Sequence, residues 1–339
     1  MMVSSYLPYP LLNGGNIRLY NLLKYLSKDH EITLICEKRE YQNENDIKEV
    51  EKVCHKVITV DRKKQWTIAN ILKTGFSMDP FLIVGHRNGE MKEKIKEELN
   101  QNIFDFIHVE TFYVMQNLPK TSLPIILVEQ NVEYLVYKRY IDQTPLLLRP
   151  ILYLDVLKLK RIEEHFWRKA TRLVAVSNIE KNIMNADAVV PNGADIEKFK
   201  LKDEKFNLQE EKKILFIGDF RWIQNIDAIT WILKDIWPEI KSKCKDFKIK
   251  LWVVSKRIPD KIKKMISDDD VLFHEDGPVD TYKIYEKSDI LLSPIRVGGG
   301  ISFKILEAMA SGVPVVTTNL GIEGIGAKDR THLLAAENS

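Results

Sequence analysis

Residues 294–318 read PIRVGGGISFKILEAMASGVPVVTT. The apolar run DILLSP (289–294) leads into them, and the glycines Gly298–Gly300 follow. A helical pattern over 302–311 then breaks at Gly312 and gives way to a second apolar run, VPVVTT (313–318). Strand, glycine turn, helix and strand form the repeating unit of a doubly wound parallel sheet. Glycines let the backbone approach a bulky anion, and free N–H groups at a helix start bind phosphate. Ser302 stands where a helix cap is expected, and Lys304 adds a positive charge in the first turn. Glu307 follows on the same helical face; a carboxylate there can accept from both hydroxyls of a ribose diol. The same residues also suit a flexible loop before an ordinary core helix, with Lys304 and Glu307 as a solvated pair. Spacing alone leaves both readings open. Neither the Walker pattern nor GxGxxG is present.

The same alternation extends outward from this stretch. KILFIG (213–218), KLWVVS (250–255) and VLFHE (271–275) read as strands, with helices over 225–240, near 258–267 and near 280–287. The N-terminal half repeats the rhythm. Val3–Tyr6 reads as a strand end, and Asn16–Ser27 is helical through Ile17, Leu19, Tyr20, Leu23 and Leu26. EITLIC (31–36), KVITV (56–60), FDFIHV (104–109), PIILVE (124–129), RLVAVS (172–177) and the shorter DAVV (187–190) follow, separated by helical segments. Residues 191–212 interrupt the pattern with PNGAD turn chemistry and a charged, aperiodic run. The expected organisation is an N-terminal Rossmann-like domain over 1–190, a linker over 191–212 and a second Rossmann-like domain over 213–339. The fold class is α/β, with two doubly wound domains facing a central cleft. Open α/β sheets bind ligands outside the carboxyl ends of their strands.

The bulk composition excludes several classes. The chain has 339 residues, with 45% hydrophobic and 29% charged residues, as expected of a globular protein of two domains. Lys and Arg number 51 against 48 Asp and Glu, so a net charge of +3 gives no general case for nucleic acid. Cys36, Cys54 and Cys244 form neither a CxxC nor a Cys/His cluster, which argues against a disulfide framework or zinc and for a reducing cytoplasm. The start MMVSSYLPYP has no signal-peptide character, and no run of about 18 apolar residues occurs. Asp268–Asp270 reads as a solvated turn rather than a metal-binding DxD. Residues 146–169 mix Leu, Ile, Tyr and Trp with Lys and Arg; the expected reading is a long core helix with a charged outer face, the alternative a segment resting on a membrane.

The stretch 294–318 resembles the C-terminal motif of family 4 retaining glycosyltransferases of the GT-B fold, the group 1 transferases. Further segments are similar in the same order. NGGNIRLYNLLKYLSKDHEITLI resembles the N-terminal glycine loop, helix and second strand. EQNVEYLVYKRY resembles the "HNVE" segment of a polysaccharide-synthesis branch, and VPNGADIEKF the linker "PNGVD". LFIGDFRWIQNIDAITWIL resembles the first strand and helix of the donor domain. The resemblance implies a nucleotide-diphosphate-sugar donor held mainly by the C-terminal domain, a glycan or lipid-linked acceptor on the N-terminal domain, retention of configuration and no required metal or cofactor. It also implies peripheral contact with the inner face of the cell membrane and no nucleic acid partner. Glu307 would hold the ribose; Gly298, Gly299, Gly300, Ser302 and Lys304 would face the diphosphate or sugar. Gly14 and Gly15 would approach the donor phosphates, and Gly277 the base. Arg18, Gln130, Asn131 and Glu133 would lie on the acceptor side.

The chain departs from the family pattern in places. A family glutamate expected at position 299 is Gly299, so the sugar contact must come from backbone amides there or be absent. The usual Arg/Lys pair after the first donor-domain strand is unclear in GDFRWIQN. Arg221 is the best substitute, with Lys304 giving the second charge, so Lys304, Arg221 and Gly299 are the expected catalytic set. The His of "HNVE" is Gln130, which keeps hydrogen bonding but cannot act as a base. Both ends look shorter than the family's, and a truncated C-terminal end is expected. Competing readings are a sugar-nucleotide epimerase or phosphorylase on the same fold, and a non-catalytic homologue that binds sugar nucleotides.

Overall fold

The computed structural model describes residues 1–142, 144–202, 210–266, 268–275, 281–298 and 300–337. The chain divides into two compact units, Met1–Pro191 and Asn192–Ser339. The break falls at the start of the turn-rich segment 191–212. Part of that segment belongs to the second unit: Phe199 is buried in its core, and the Lys202 ammonium donates to the Ser288 carbonyl. Residues 203–209 of the expected linker lie outside the described residues.

In the first unit the strands are β1 (Met2–Ser4), β2 (Thr33–Lys38), β3 (Lys56–Asp61), β4 (Ile107–Glu110), β5 (Ile125–Glu129), β6 (Arg172–Ala175) and β7 (Ala188–Val189). Its helices are α1 (Gly14–Leu26), α2 (Glu44–Glu51), α3 (Ile68–Phe76), α4 (Phe81–Gly85), α5 (Gly89–Gln101), α6 (Glu133–Ile141), α7 (Arg149–Lys169) and α8 (Asn178–Met184). The strand order is β3-β2-β1-β4-β5-β6-β7, and every pairing between described strands is parallel. Alternate residues serve opposite faces, because successive side chains point to opposite sides of a sheet. Val3 and Ile35 enter the core under α4, α5 and α7, while Met2 and Leu34 join Leu19 and Leu23 of α1 on the other face.

The second unit repeats the design with β8 (Lys212–Ile217), β9 (Ile249–Val254), β10 (Val271–His274), β11 (Ile290–Ser293), β12 (Val315–Thr317) and β13 (Leu334–Ala335). Its helices are α9 (Ile223–Trp231), α10 (Trp237–Lys243), α11 (Asp260–Lys263), α12 (Tyr282–Glu286) and α13 (Phe303–Ala310). The order is β10-β9-β8-β11-β12-β13, again parallel. Ile214 and Phe216 of β8 feed one core and Leu215 the other.

Both sheets thus carry the mononucleotide-binding order in which the first strand sits centrally, beside the fourth. Chain direction away from the centre reverses there, so the crevice at the carboxyl ends of β1/β4 and of β8/β11 is the place where such sheets receive ligands.

The helix expected over 225–240 runs further, from Ile223 to Lys243, through one wide π turn at Ile232–Ile236. Pro238 explains the turn: it has no N–H to donate one turn back, and its ring crowds the preceding carbonyl. The helix expected near 258–267 shortens to Asp260–Lys263. Trp237 closes the second core: it is fully buried, and its indole N–H donates to Asp268 at 2.9 Å. Trp237→Ala should destabilise the second unit by about 3–5 kcal/mol. Denaturant unfolding should show its transition at lower midpoint, with the first unit's transition unmoved.

Candidate functional site

At the switch point of the second unit, β8 runs directly into Gly218. A Cβ there would stand 2.8 Å from Asn225 Cγ and Oδ1, so only glycine lets the chain pass beneath Asn225. Asn225 is buried. Its Nδ2 donates to the Asp219 carbonyl at 2.8 Å, and its Oδ1 accepts from Lys304 Nζ at 2.8 Å. The Lys304 ammonium also lies 5.1 Å from the centre of the Phe216 ring. Part of the Lys304 side chain is exposed, but its ammonium is enclosed, and burial pulls its pKa down to about 8. Among the described residues no carboxylate pairs with it. A neutral amide and a ring face hold the ammonium without neutralising it, so the charge it carries below about pH 8 stays available to an anion.

Glu307, one turn further along α13, is also buried. Its Oε2 accepts from the Tyr285 hydroxyl at 3.0 Å. Burial pushes its carboxyl up to about 7, against the pull of Tyr285, Lys198 and Thr281. The solvated Lys304–Glu307 pair considered from spacing does not form: the two side chains take different partners on different elements.

The loop before α13 needs its glycines. Gly298 has φ +108° and Gly300 φ +88°, where a side chain is strained. Arg296 anchors the loop by lying 4.3 Å over the Trp231 ring and donating to both Asp227 oxygens, at 2.9 and 3.1 Å. Ser302 occupies the cap position of α13, but its hydroxyl makes no cap hydrogen bond, so the expected side-chain cap is corrected to a backbone start. Arg221 donates from Nε to Asp219 at 2.8 Å, and its side chain is 71% exposed. Gly277 and Gly299 lie outside the described residues.

The Asp268–Asp270 turn is an ion-paired clamp rather than a merely solvated one. Asp268 accepts from Trp237, and Asp270 pairs with Lys241 and, at 3.0 Å, with Lys250. Among the described residues no group of three or more His, Cys, Asp or Glu is placed to hold a metal ion.

The first unit has a polar network at its own switch point. Gln130, just after β5, donates from Nε2 to the Tyr6 hydroxyl at 2.8 Å and to Glu110 at 3.2 Å. Glu110, the last residue of β4, meets His108 Nε2 at 3.0 Å. Burial would raise the Glu110 carboxyl, but His108, Arg18 and Gln130 together hold it below its usual range. Asn13 caps α1 by accepting from Asn16 N at 3.0 Å, so Gly14 and Gly15 form the first positions of that helix. A Cβ on Gly15 would lie 3.3 Å from both Gln130 Oε1 and the Tyr6 hydroxyl, which places this helix start hard against the network. Arg18 is buried one turn on. Thr111, directly after Glu110, holds φ +68°, a strained geometry for a β-branched residue of the kind that collects at functional sites.

Asn131 and Glu133 occupy a neighbouring position. Glu163 of α7 caps the start of α6, accepting from the backbone N–H groups of Glu133 and Tyr134 at 2.8 and 3.0 Å. Burial pushes the Glu163 carboxyl up to about 8. Burial also raises the Glu133 carboxyl, against hydrogen bonds from Tyr113 and Asn131. Gly218, Asn225, Tyr285 and Glu110 were not singled out from sequence. Gly218 alone left a trace, as a glycine closing an apolar run.

Residues 211–339 match the family model described as glycosyl transferases group 1. The second unit therefore carries a glycosyltransferase domain, and the fold is that of GT-B glycosyltransferases, two Rossmann-like α/β domains. Over 349 aligned residues the chain is 25% identical to an uncharacterised 44.6 kDa protein in the cps region of Klebsiella pneumoniae, covering 100% of this chain and 87% of that one. It is similar in structure to sucrose-phosphate synthase (tll1590) from Thermosynechococcus elongatus, with TM-score 0.64, 13% identity, and 95% and 81% of the two chains covered. It is also similar to Anabaena Alr3699/HepE, solved with UDP and glucose, with TM-score 0.62, 12% identity, and 99% and 85% covered.

Gly218→Ala should push Asn225 aside and break its bond to Lys304. We expect a loss of about 1–3 kcal/mol in the second unit, read as a lower thermal midpoint, with Gly193→Ala in the same unit, where an added Cβ meets nothing within 4 Å, as the control that should not lower it.

Proposed function

We propose that the chain is a retaining, metal-independent glycosyltransferase of family 4, moving a hexosyl group from a nucleotide-diphosphate sugar to a glycan or lipid-linked acceptor. The observation that carries this reading is the Lys304 ammonium at the β8/β11 switch point, paired with no carboxylate among the described residues, inside a domain that matches the group 1 glycosyl transferases. The bond from the anomeric carbon to the diphosphate breaks, and negative charge develops on the leaving group. Lys304 and the amides before α13 stabilise that charge in a preorganised way, the part a metal would otherwise take. A glycosidic bond forms to the acceptor oxygen, and the acceptor's proton passes to the departing diphosphate. Glu307 accepts from the ribose hydroxyls in exchange for Tyr285. On the first unit, Arg18 and the Gln130–Glu110–Tyr6 network serve the acceptor, with Asn131 and Glu133 beside it. UDP is the first nucleotide to test, since HepE was solved with it.

The two pKa values set the pH dependence. Glu307 becomes a carboxylate as pH rises through about 7, which strengthens its hold on the ribose. Lys304 loses its proton as pH rises through about 8, which weakens its hold on the diphosphate. Nucleotide affinity measured by calorimetry should therefore peak between these limbs. Glu307→Gln should weaken binding about ten- to a hundredfold and abolish the acid limb. Lys304→Ala should abolish the alkaline limb. A flat pH profile in the native protein would remove both residues from the donor site. Turnover should persist in the presence of a chelator; loss that added magnesium restores would remove the metal-independent reading.

A further inference from the structure

The carboxyl edge of β2 and β3 carries a second charged cluster. The ladder between these strands runs to Lys38 opposite Asp61, and Arg62 N donates onward to the Lys38 carbonyl at 2.9 Å. Arg39 and Arg62 are thus the next residues on the two neighbouring strands. Side chains alternate between faces, so Arg39 follows Ile35 and Glu37, and Arg62 follows Val60, onto one face of the sheet. Ile35 and Val60 belong to the same core there. Like charges set side by side repel. The charge of Arg39 is felt by both Arg62 and His86.

The acids around them are already engaged. Asp61 pairs with Lys38 at 2.6 Å, Glu40 with Lys64 at 4.0 Å and Asp79 with Arg87 at 2.7 Å. Glu44 and Glu90 act on Lys38. Glu37 remains, and it is buried. Its Oε1 accepts from Asn88 Nδ2 at 3.2 Å, and its Oε2 faces His86 Nδ1 at 3.7 Å. His86, also buried, accepts at Nε2 from Gln65 Nε2 at 2.7 Å and from Arg62 Nη2 at 3.3 Å. Two donors on Nε2 leave the imidazole proton on Nδ1, toward Glu37. Burial favours the neutral ring. Across that ring Glu37 balances one guanidinium, which leaves the second in excess. Among the described residues neither Arg39 nor Arg62 has a carboxylate within ion-pair distance.

The cluster is fixed on one side and open on the other. His86 stacks on Tyr113 at 4.9 Å, and the Tyr113 hydroxyl bonds to Glu133, so the cluster adjoins the acceptor-side residues. Arg62 is half-buried and Arg39 exposed. The segment after Arg62 leads into α3, none of whose residues is buried; Ile68, Ile71, Leu72 and Phe76 form an apolar stripe in solvent, Phe76 being 90% exposed. The start of α7 is open too, with Leu147, Ile151 and Leu154 exposed, while its later turns bury Val156, Leu159 and Phe166. The expectation of a core helix with a charged outer face over 146–169 therefore holds only for those later turns.

A guanidinium held at one nitrogen keeps its other N–H groups in a planar fork that matches a carboxylate or a phosphate. We propose that Arg62, oriented by His86 and Glu37 and joined by Arg39, binds an oxyanion carried by the acceptor, either a phosphate ester or a sugar carboxylate. This rests on the reading that the first unit receives the acceptor. It narrows that acceptor from any hydroxylated molecule to one that also bears negative charge.

Calorimetry on the full chain tests this with glucose 6-phosphate, glucuronate and glucose as probes. One of the charged sugars should bind about ten- to a hundredfold more tightly than glucose. Preference for the first identifies a phosphate, preference for the second a carboxylate. Arg62→Gln should remove the preference. Arg62→Lys should restore only part of it, because an ammonium lacks the fork. Arg39→Gln should lower it by less, and Lys63→Gln, one residue on and exposed, should leave it unchanged. His86→Leu should weaken the charged sugar without altering glucose, and His86→Gln, which can still accept from Arg62, should keep more of the preference. Equal affinity for all three probes overturns the proposal. So does a preference that survives Arg62→Gln, one that Lys63→Gln removes equally, or one that Lys304→Ala removes, which would put the oxyanion in the donor site. The donor reading is read out separately: UDP affinity should fall in Lys304→Ala and hold in Arg62→Gln.

Discussion

The hydrogen bond from Lys304 Nζ to Asn225 Oδ1 joins the first turn of α13 to the first turn of α9, the two helices that follow the central strands β8 and β11. It can form only because Gly218 lets β8 end directly beneath Asn225. The sheet order decides where it falls: reversal of winding at β8/β11 parts the two helices and leaves their N-termini side by side. Asn225 gives the ammonium a place without neutralising it. A carboxylate there would stabilise the buried charge further, but it would also take the anion's role.

The first unit solves the same geometric problem with opposite chemistry. Its switch point between β1 and β4 carries a buried carboxylate, Glu110, held ionised by His108, Arg18 and Gln130. Gln130 gives both its amide hydrogens to Tyr6 and Glu110, so its orientation is fixed from two sides. Two sheets of equal winding thus carry unlike edges, one presenting an ammonium and amides, the other a bonded network of hydroxyl, amide and carboxylate. Such a division suits one unit for an anionic ligand and the other for a hydroxylated one.

Strands and their order of succession were legible because parallel strands buried on both faces read as unbroken apolar runs, as in KILFIG and EITLIC. The glycines at 298 and 300 were legible because positive φ selects for glycine. Contacts between distant parts of the chain were not. Nothing local in GDFRWIQN says that Asn225 meets Lys304; that depends on how β8 and β11 pair. Arg221 carries the charge that sequence reasoning looks for, and Asp219 two residues away pairs with it. The apolar stripe of α3 was hidden for a different reason. Periodicity reveals that a helix has an apolar face but not whether the fold covers it. The wide turn at Ile232–Ile236 is visible in hindsight from Pro238, since proline inside a helix must disturb the hydrogen bonding one turn back.

The central claim is that Lys304, placed by Asn225 over Gly218, receives the diphosphate of a nucleotide sugar. An experimental structure of the chain with a bound nucleoside diphosphate tests it most directly. A phosphate oxygen should lie within hydrogen-bond distance of Lys304 Nζ, with ribose hydroxyls on Glu307. A nucleotide bound elsewhere, with Lys304 still meeting only Asn225 and the face of Phe216, would contradict it.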